Sequence, residues 1–258
     1  MDKIIFCTNT SKSNYMYQQF HKNAKILGVE LIDEWKATDT DKKKAIATLN
    51  RCYYEKYAPV QRGVQVNDFY TGYFYKSKMR QQCLEMPCEK PKTVLGQLGY
   101  DQLRELIGYP FVAKQSIASG GRGTYLIRSK EDFRQAIDCD IFQEMIWDSY
   151  GKDLRIYVIG GEIIGVMQRT NKDDFRANAH VGGKGSKYRV NKKIREITAA
   201  IYEQTKLDIM GIDLLFYEDT YMFCELNVNP GFEEFDSAMN DNVAMRILQY
   251  TLDKANKA

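Results

Sequence analysis

Along the first 75 residues the apolar and polar positions alternate between two rhythms. Residues 3–7 form a short apolar run with β-branched content, which predicts a buried strand. Residues 13–27 then take helical spacing, with Ser13 as a capping residue and Gly28 as the stop. A second strand is predicted over 29–32, a helix over 41–57 behind the cap cluster Thr38, Asp39 and Thr40, and a third short strand over 63–66. This is the pattern of a small α/β unit. Helical spacing resumes over 70–84 and stops at Pro87 and Pro91, because proline can neither donate to a helix ladder nor tolerate a helical residue before it. A domain boundary is expected near that pair.

Beyond the prolines, strands are joined by glycine-containing turns. Strands are predicted over 111–114, 125–127 and 141–146, with a glycine-rich loop over 116–123 and a helix over 130–137. Residues 154–159 and 162–169 flank Gly160 and Gly161, a pair suited to a primed hairpin turn that needs positive φ at both positions. Residues 182–186, polar and glycine-rich, read as a mobile flap or a surface loop. An amphipathic helix over 192–206, a second hairpin over 209–216 and 221–227, and a closing helix over 242–254 complete the chain.

Composition changes this picture mainly by exclusion. At 258 residues the chain exceeds one small domain, with ~150 residues per domain as a guide. Its net charge of +3 is too balanced for the broad basic surface of a dedicated nucleic-acid binder, which leaves local phosphate binding open. No window approaches the ~18–20 apolar residues of a membrane helix, and residues 4–6 are too short for a signal-peptide core. A cytoplasmic chain without membrane association is expected. Six cysteines lie outside any C-x-x-C pair and are expected as reduced thiols. Two histidines rule out an H-E-x-x-H zinc site, so catalysis should lean on Lys, Arg, Asp and Glu.

The second hairpin carries candidate chemistry. With a loop of Glu218, Asp219 and Thr220, Asp213 falls opposite Glu225, and Asn227 shares their face by the period-two alternation of a strand. Two carboxylates so close repel unless a cation lies between them, and an oxygen-only set suits Mg²⁺ or Mn²⁺. The hairpin alone equally allows a solvated polar strand face. The second feature is the loop Ser119, Gly120, Gly121, Arg122, Gly123 behind a strand ending in Lys114. Its backbone N–H groups could close on phosphate oxygens, although it fits neither the Walker A nor the dinucleotide-binding glycine pattern and by itself could be a plain turn.

Six motifs in one order remove that ambiguity. Gln143-Glu144-Met145-Ile146, Gly151-Lys152-Asp153-Leu154-Arg155, Val158-Ile159-Gly160-Gly161-Glu162, the run from Asp174 to Gly183, Met210-Gly211-Ile212-Asp213, and Glu225-Leu226-Asn227-Val228-Asn229-Pro230-Gly231 together closely resemble the ATP-grasp ligases of the RimK type, the glutamate ligases. The resemblance covers roughly residues 78–233. It implies an ATP-grasp fold, two α+β subdomains gripping ATP behind a short α/β pre-grasp domain. The division it suggests is 1–75 for the pre-grasp domain and 76–258 for the grasp, with a lid subdomain at about 92–146 and a metal and substrate subdomain at about 147–258. Residues 1–75 are shorter than the family's usual pre-grasp domain.

The same resemblance implies residue roles. Lys114 and Lys78 match lysines facing the phosphates, and Gly120, Gly121 and Gly123 the phosphate loop. Glu144, Met145 and Ile146 match the hinge that reads adenine, and Asp153 the acidic residue near the ribose. Arg155, Arg169, Arg176 and Asn178 match the lining of the transferred phosphate and the carboxylate substrate. Asp213, Glu225 and Asn227 match the metal set, implying two ions. His180 is read as incidental. The implied activity is an ADP-forming carboxylate–amine ligation through an acyl-phosphate. Glutamate is favoured as the amino acid, joined to an amine, peptide or protein acceptor, because three arginines beside the metal hairpin exceed what ATP and two ions require. An ATP-grasp kinase acting on a hydroxyl and a non-catalytic ATP-binding protein are the rival readings. Tyr70, Tyr73, Phe74 and Tyr75 are expected in core packing or in a homo-oligomer contact.

Overall fold

The computed structural model describes residues 1–53, 63–118 and 120–258. The opening apolar run forms β1 (Lys3–Thr8), followed by α1 (Tyr15–Ile26), β2 (Glu30–Asp33), α2 (Asp39–Lys44), β3 (Ala45–Arg51) and β4 (Val64–Val66). These strands make a parallel sheet in the order β2-β1-β3-β4. Asn14, not Ser13, caps α1, its Oδ1 accepting from the Met16 N–H at 2.9 Å. The helix expected over 41–57 is corrected. Its first turn exists as α2, held by a capping box between Thr38 and Asp41. From Ala45 the chain becomes the buried strand β3 between β1 and β4, and residues 54–57 lie outside the described residues. A parallel strand covered on both faces carries a continuous apolar run, which short sequence windows do not separate from a buried helix.

The helical stretch over 70–84 is also divided. It forms α3 (Phe69–Tyr75) and α4 (Lys78–Gln81), and the Lys78 N–H donates to the Ser116 carbonyl at 2.9 Å across the break. Tyr73 and Tyr75 pack against a core cluster, whereas Tyr70 and Phe74 are exposed.

The middle of the chain supplies β5 (Thr93–Leu95), α5 (Tyr100–Ile107), β6 (Phe111–Lys114), β7 (Thr124–Ile127), α6 (Lys130–Phe133) and β8 (Ile141–Glu144). They form an antiparallel sheet, order β5-β8-β6-β7, over a small core of Leu103, Ile107, Phe111, Ile127 and Phe142. The remaining elements are β9 (Lys152–Ile159), β10 (Glu162–Thr170), β11 (Lys184–Lys187), α7 (Lys192–Thr205), β12 (Ile209–Tyr217), β13 (Thr220–Asn227), α8 (Glu233–Met239) and α9 (Val243–Asn256). Gly160 and Gly161 turn the β9–β10 hairpin with φ of +60° and +84°, as a primed turn requires. The stretch read as a flap over 182–186 is instead largely β11, an edge strand paired with β10.

This third sheet, order β11-β10-β9-β12-β13, has two apolar faces. Ile194, Ile197 and Ile201 of α7 cover one, against Ile156, Val158 and Met210. On the other, Tyr157, Ile159 and Ile209 join one core with Phe20 of α1, Leu49 of β3 and Val243, Ile247 and Leu248 of α9. The closing helix, expected with the last subdomain, thus helps bury the amino-terminal sheet.

Candidate active site

Alternation along β12 and β13 decides which side chains meet. Asp213 stands opposite Glu225 and Gly211 opposite Asn227, as the hairpin reading expected. The route to that register differs. Tyr217 pairs with Thr220, so the turn contains two residues rather than three, and a bulge between Phe223 and Glu225 absorbs Cys224 and restores the offset. A bulge re-aims the chain locally, and both Cys224 and Glu225 reach the same cleft. The Asn227 Nδ2 lies 3.3 Å from Glu225 Oε1 and 3.4 Å from Asp213 Oδ2, so the three side chains converge.

The charges around them are closely matched. Lys78, at the start of α4, pairs with Glu225 at 3.1 Å. Burial alone would raise the Glu225 carboxyl, but Lys78, Lys114 and Arg155 outweigh it and hold it at about 2. Arg155 contacts Asp213 through Nε and donates from Nη2 to Oδ2 at 2.7 Å. Arg169 donates to the same Asp213 oxygen at 3.0 Å and to both oxygens of Asp153 at 2.7 and 2.6 Å. The register explains the cluster, because Asp213 is the neighbour of Arg155 on one side of β9 and Arg169 the partner of Asp153 on the other. Burial pushes the Asp153 carboxyl up even beside Arg169.

One expectation changes here. Arg155 and Arg169 are buried and committed to Asp213 and Asp153, and Arg176 is forked onto Asp174 at 3.0 and 2.7 Å. The surplus of positive charge expected from three arginines is therefore neutralised within the chain. Asp153, expected at the ribose, gives both carboxylate oxygens to Arg169.

A cleft opens between the second and third sheets. Lys78, Lys114, Gly121, Glu144, Met145, Ile146, Asp153, Arg176, Asn178, Asp213 and Glu225 line it, which brings together most of the residues singled out in the sequence. Gly120, Gly123, Arg155, Arg169 and Asn227 lie outside this lining. Val112, Leu215, Pro91 and Phe175 supply apolar wall that the sequence reading missed, along with Cys224. Period-two alternation could have found two of them, since Val112 precedes Lys114 by two positions on β6 and Leu215 follows Asp213 by two on β12.

The glycine loop closes one side of the cleft. Gly120, Gly121 and Gly123 take φ of +66°, +76° and +62°. The Gly121 carbonyl accepts from Arg176 Nη1 at 2.9 Å, and a Cβ on Gly120 would stand 2.6 Å from the His180 ring. His180 therefore packs on the loop. Ser119 lies outside the described residues.

A second cavity is also lined by Lys78 and Glu225, which border both. Asn227 at the end of β13 and Asn229 just beyond it, Gln115 beside the glycine loop and Arg122 within it, and Asn9, Arg51 and Tyr53 from the amino-terminal unit form its walls.

The RimK-like ATP-grasp domain model matches residues 76–251. Human N-acetylaspartylglutamate synthase A is 35% identical over 156 residues, 57% of this chain and 40% of that protein. A probable alpha-L-glutamate ligase of Legionella pneumophila (strain Corby) is 31% identical over 163 residues, 60% of this chain and 54% of that protein. The chain thus matches about half the length of such relatives or less. Among solved structures, a Chryseobacterium gregarium RiPP-associated ATP-grasp ligase, in complex with ADP and a leader and core peptide, superposes with a TM-score of 0.74 at 16% identity, covering 98% of this chain and 97% of that one. That likeness establishes the ATP-grasp fold, and with the domain match over residues 76–251 it places this chain in the RimK-like ATP-grasp family.

Proposed function

We propose that this chain is an ADP-forming ligase that joins a carboxylate to an amine through an acyl-phosphate, with glutamate as the amino acid and an amine, peptide or protein as its acceptor. The observation that carries the reading is the meeting of two cavities at Lys78 and Glu225, which offers a nucleotide and a second substrate a common boundary. The relatives support the class, since one is named for synthesis of N-acetylaspartylglutamate and another as a glutamate ligase.

In this reading ATP lies in the cleft with its base near the hinge of Glu144, Met145 and Ile146 and against Val112 and Leu215. Asp153 borders the ribose while anchoring Arg169. Lys114, Lys78 and the backbone of the glycine loop face the phosphates, supplying fixed positive charge and N–H dipoles. The donors of Asp213, Glu225 and Asn227 fit a hard cation, two carboxylates and an amide that presents its oxygen after half a turn. When bound there, Mg²⁺ or Mn²⁺ would neutralise and orient the β- and γ-phosphate oxygens. Arg155 and Arg169 act as positioning residues that fix Asp213.

The substrate carboxylate oxygen attacks the γ-phosphorus and the bond to the β,γ-bridging oxygen breaks, releasing ADP. The amine nitrogen then attacks the acyl carbon, the bond to the phosphate oxygen breaks, and the amine's proton leaves to solvent. Arg176 and Asn178 stand where charge moves during transfer, and the glycine loop keeps water from the acyl-phosphate. The test is an ¹⁸O-labelled carboxylate substrate: label should appear in released phosphate, and hydroxylamine should trap a hydroxamate. Unlabelled phosphate, or stable phosphorylation of a hydroxyl acceptor, refutes the ligase.

A further inference from the structure

Arg51 ends β3, at the carboxyl edge of the parallel sheet, where open α/β sheets place their ligands. It is 3% exposed and lines the second cavity. One Nη2 hydrogen bond to the Pro230 carbonyl at 2.9 Å and the rings of Phe20 and Phe232, 5.7 and 5.9 Å away, hold the guanidinium in place. Its Nη1 is buried without a hydrogen-bond partner, and no carboxylate pairs with it among the described residues. Asn229, whose Nδ2 donates to the Arg51 carbonyl at 2.8 Å, has a buried Oδ1 that is likewise unpartnered. Burial pulls the guanidinium down to about 10.

Arg155, Arg169 and Arg176 each have an internal carboxylate. Among the described residues Arg51 is different: it is a buried, rigidly held fork with an unsatisfied donor and no carboxylate partner. A buried cation lacking a counter-charge is costly, and such groups persist where a ligand completes them. The cavity's own carboxylate, Glu225, is already paired with Lys78. An anion would therefore settle at the Arg51 end, with the rest of the molecule extending toward the boundary with the nucleotide cleft.

We propose that Arg51 is the carboxylate-binding residue of the second cavity, its guanidinium supplying the counter-charge for a carboxylate that the substrate carries in addition to its reacting group. The proposal rests on the ligase reading for the word substrate, and it gives the amino-terminal unit a direct part in substrate selection.

The experiment titrates the full chain, with ADP and Mg²⁺ present, with glutarate as a plain five-carbon dicarboxylate. Arg51→Met should weaken glutarate binding by about tenfold or more, the loss of one charge-assisted contact. Arg51→Lys, which keeps the charge but not the fork, should fall between and serves if the methionine variant does not fold. Both should keep ADP affinity within about twofold of the parent, since Arg51 does not line the nucleotide cleft. Equal glutarate affinity in parent and variants, or no glutarate binding by the parent, overturns the assignment. If Arg51-dependent binding persists while no carboxylate supports ADP release, Arg51 stands and the ligase reading falls.

Discussion

Glu225→Gln separates electrostatics from shape at the junction of the two cavities. The glutamine is isosteric, so packing on β13 changes little, but the charge that Lys78 faces at 3.1 Å disappears. In the folded chain the Glu225 carboxyl is held at about 2, against an ordinary 4.5. That difference corresponds to about 3 kcal/mol of stability at neutral pH. Because the folded value is depressed, the contribution is fully present above the unfolded value near 4.5 and is lost as pH falls toward 2. Urea denaturation of the metal-free protein should show Glu225→Gln about 2–3 kcal/mol less stable at pH 7, shrinking by about 2 kcal/mol at pH 3. The double variant Lys78→Met, Glu225→Gln should cost less than the sum of the single changes, since no buried charge is then left facing an empty partner. A deficit that is the same at both pH values, or below about 0.5 kcal/mol at pH 7, would refute the account of Glu225 as a charge held between cations. The metal-site reading adds that this variant also loses metal-dependent nucleotide binding.

Lys114→Ala should weaken ATP binding by about tenfold or more in calorimetry while the chain still folds, with a loss of stability at neutral pH smaller than that of Glu225→Gln, because Lys114 is half-buried and is one of several cations facing the Glu225 carboxylate. Arg169→Met leaves Asp153 and Asp213 facing each other in a buried place, and thermal or urea unfolding should report a loss of about 3–5 kcal/mol. Burial pushes the Cys224 thiol up to about 11. Iodoacetamide should therefore label it slowly at pH 8 and faster as pH approaches that value, and ATP with Mg²⁺ should block the labelling if the nucleotide fills the cleft it lines. Mass-spectrometric labelling that is fast at pH 7 and indifferent to nucleotide contradicts both points.

Features that depend on local period and on motif order were legible in the chain before folding was considered. Alternation along β13 was enough to put Glu225 and Asn227 on one face, and Gly160-Gly161 was enough to turn a hairpin, because strand faces and positive-φ turns are fixed by covalent geometry. The order of six motifs identified the family. Packing settled what propensity could not. Ala45 to Leu49 have helix-compatible character, yet burial between β1 and β4 makes them strand. The break before α4, tied by Lys78 to the Ser116 carbonyl, delivers Lys78 to Glu225. The bulge at Cys224 corrected a turn one residue shorter than expected, a compensation invisible to residue counting. Most of all, pairing across three strands turned Arg155 and Arg169 from expected anion binders into partners of Asp213 and Asp153, and left Arg51, unremarkable in the sequence, as a buried cation with an unsatisfied donor. Whether a charge is spent inside the chain or kept for a ligand depends on which side chains meet across strands far apart in sequence, and only the folded packing fixes that.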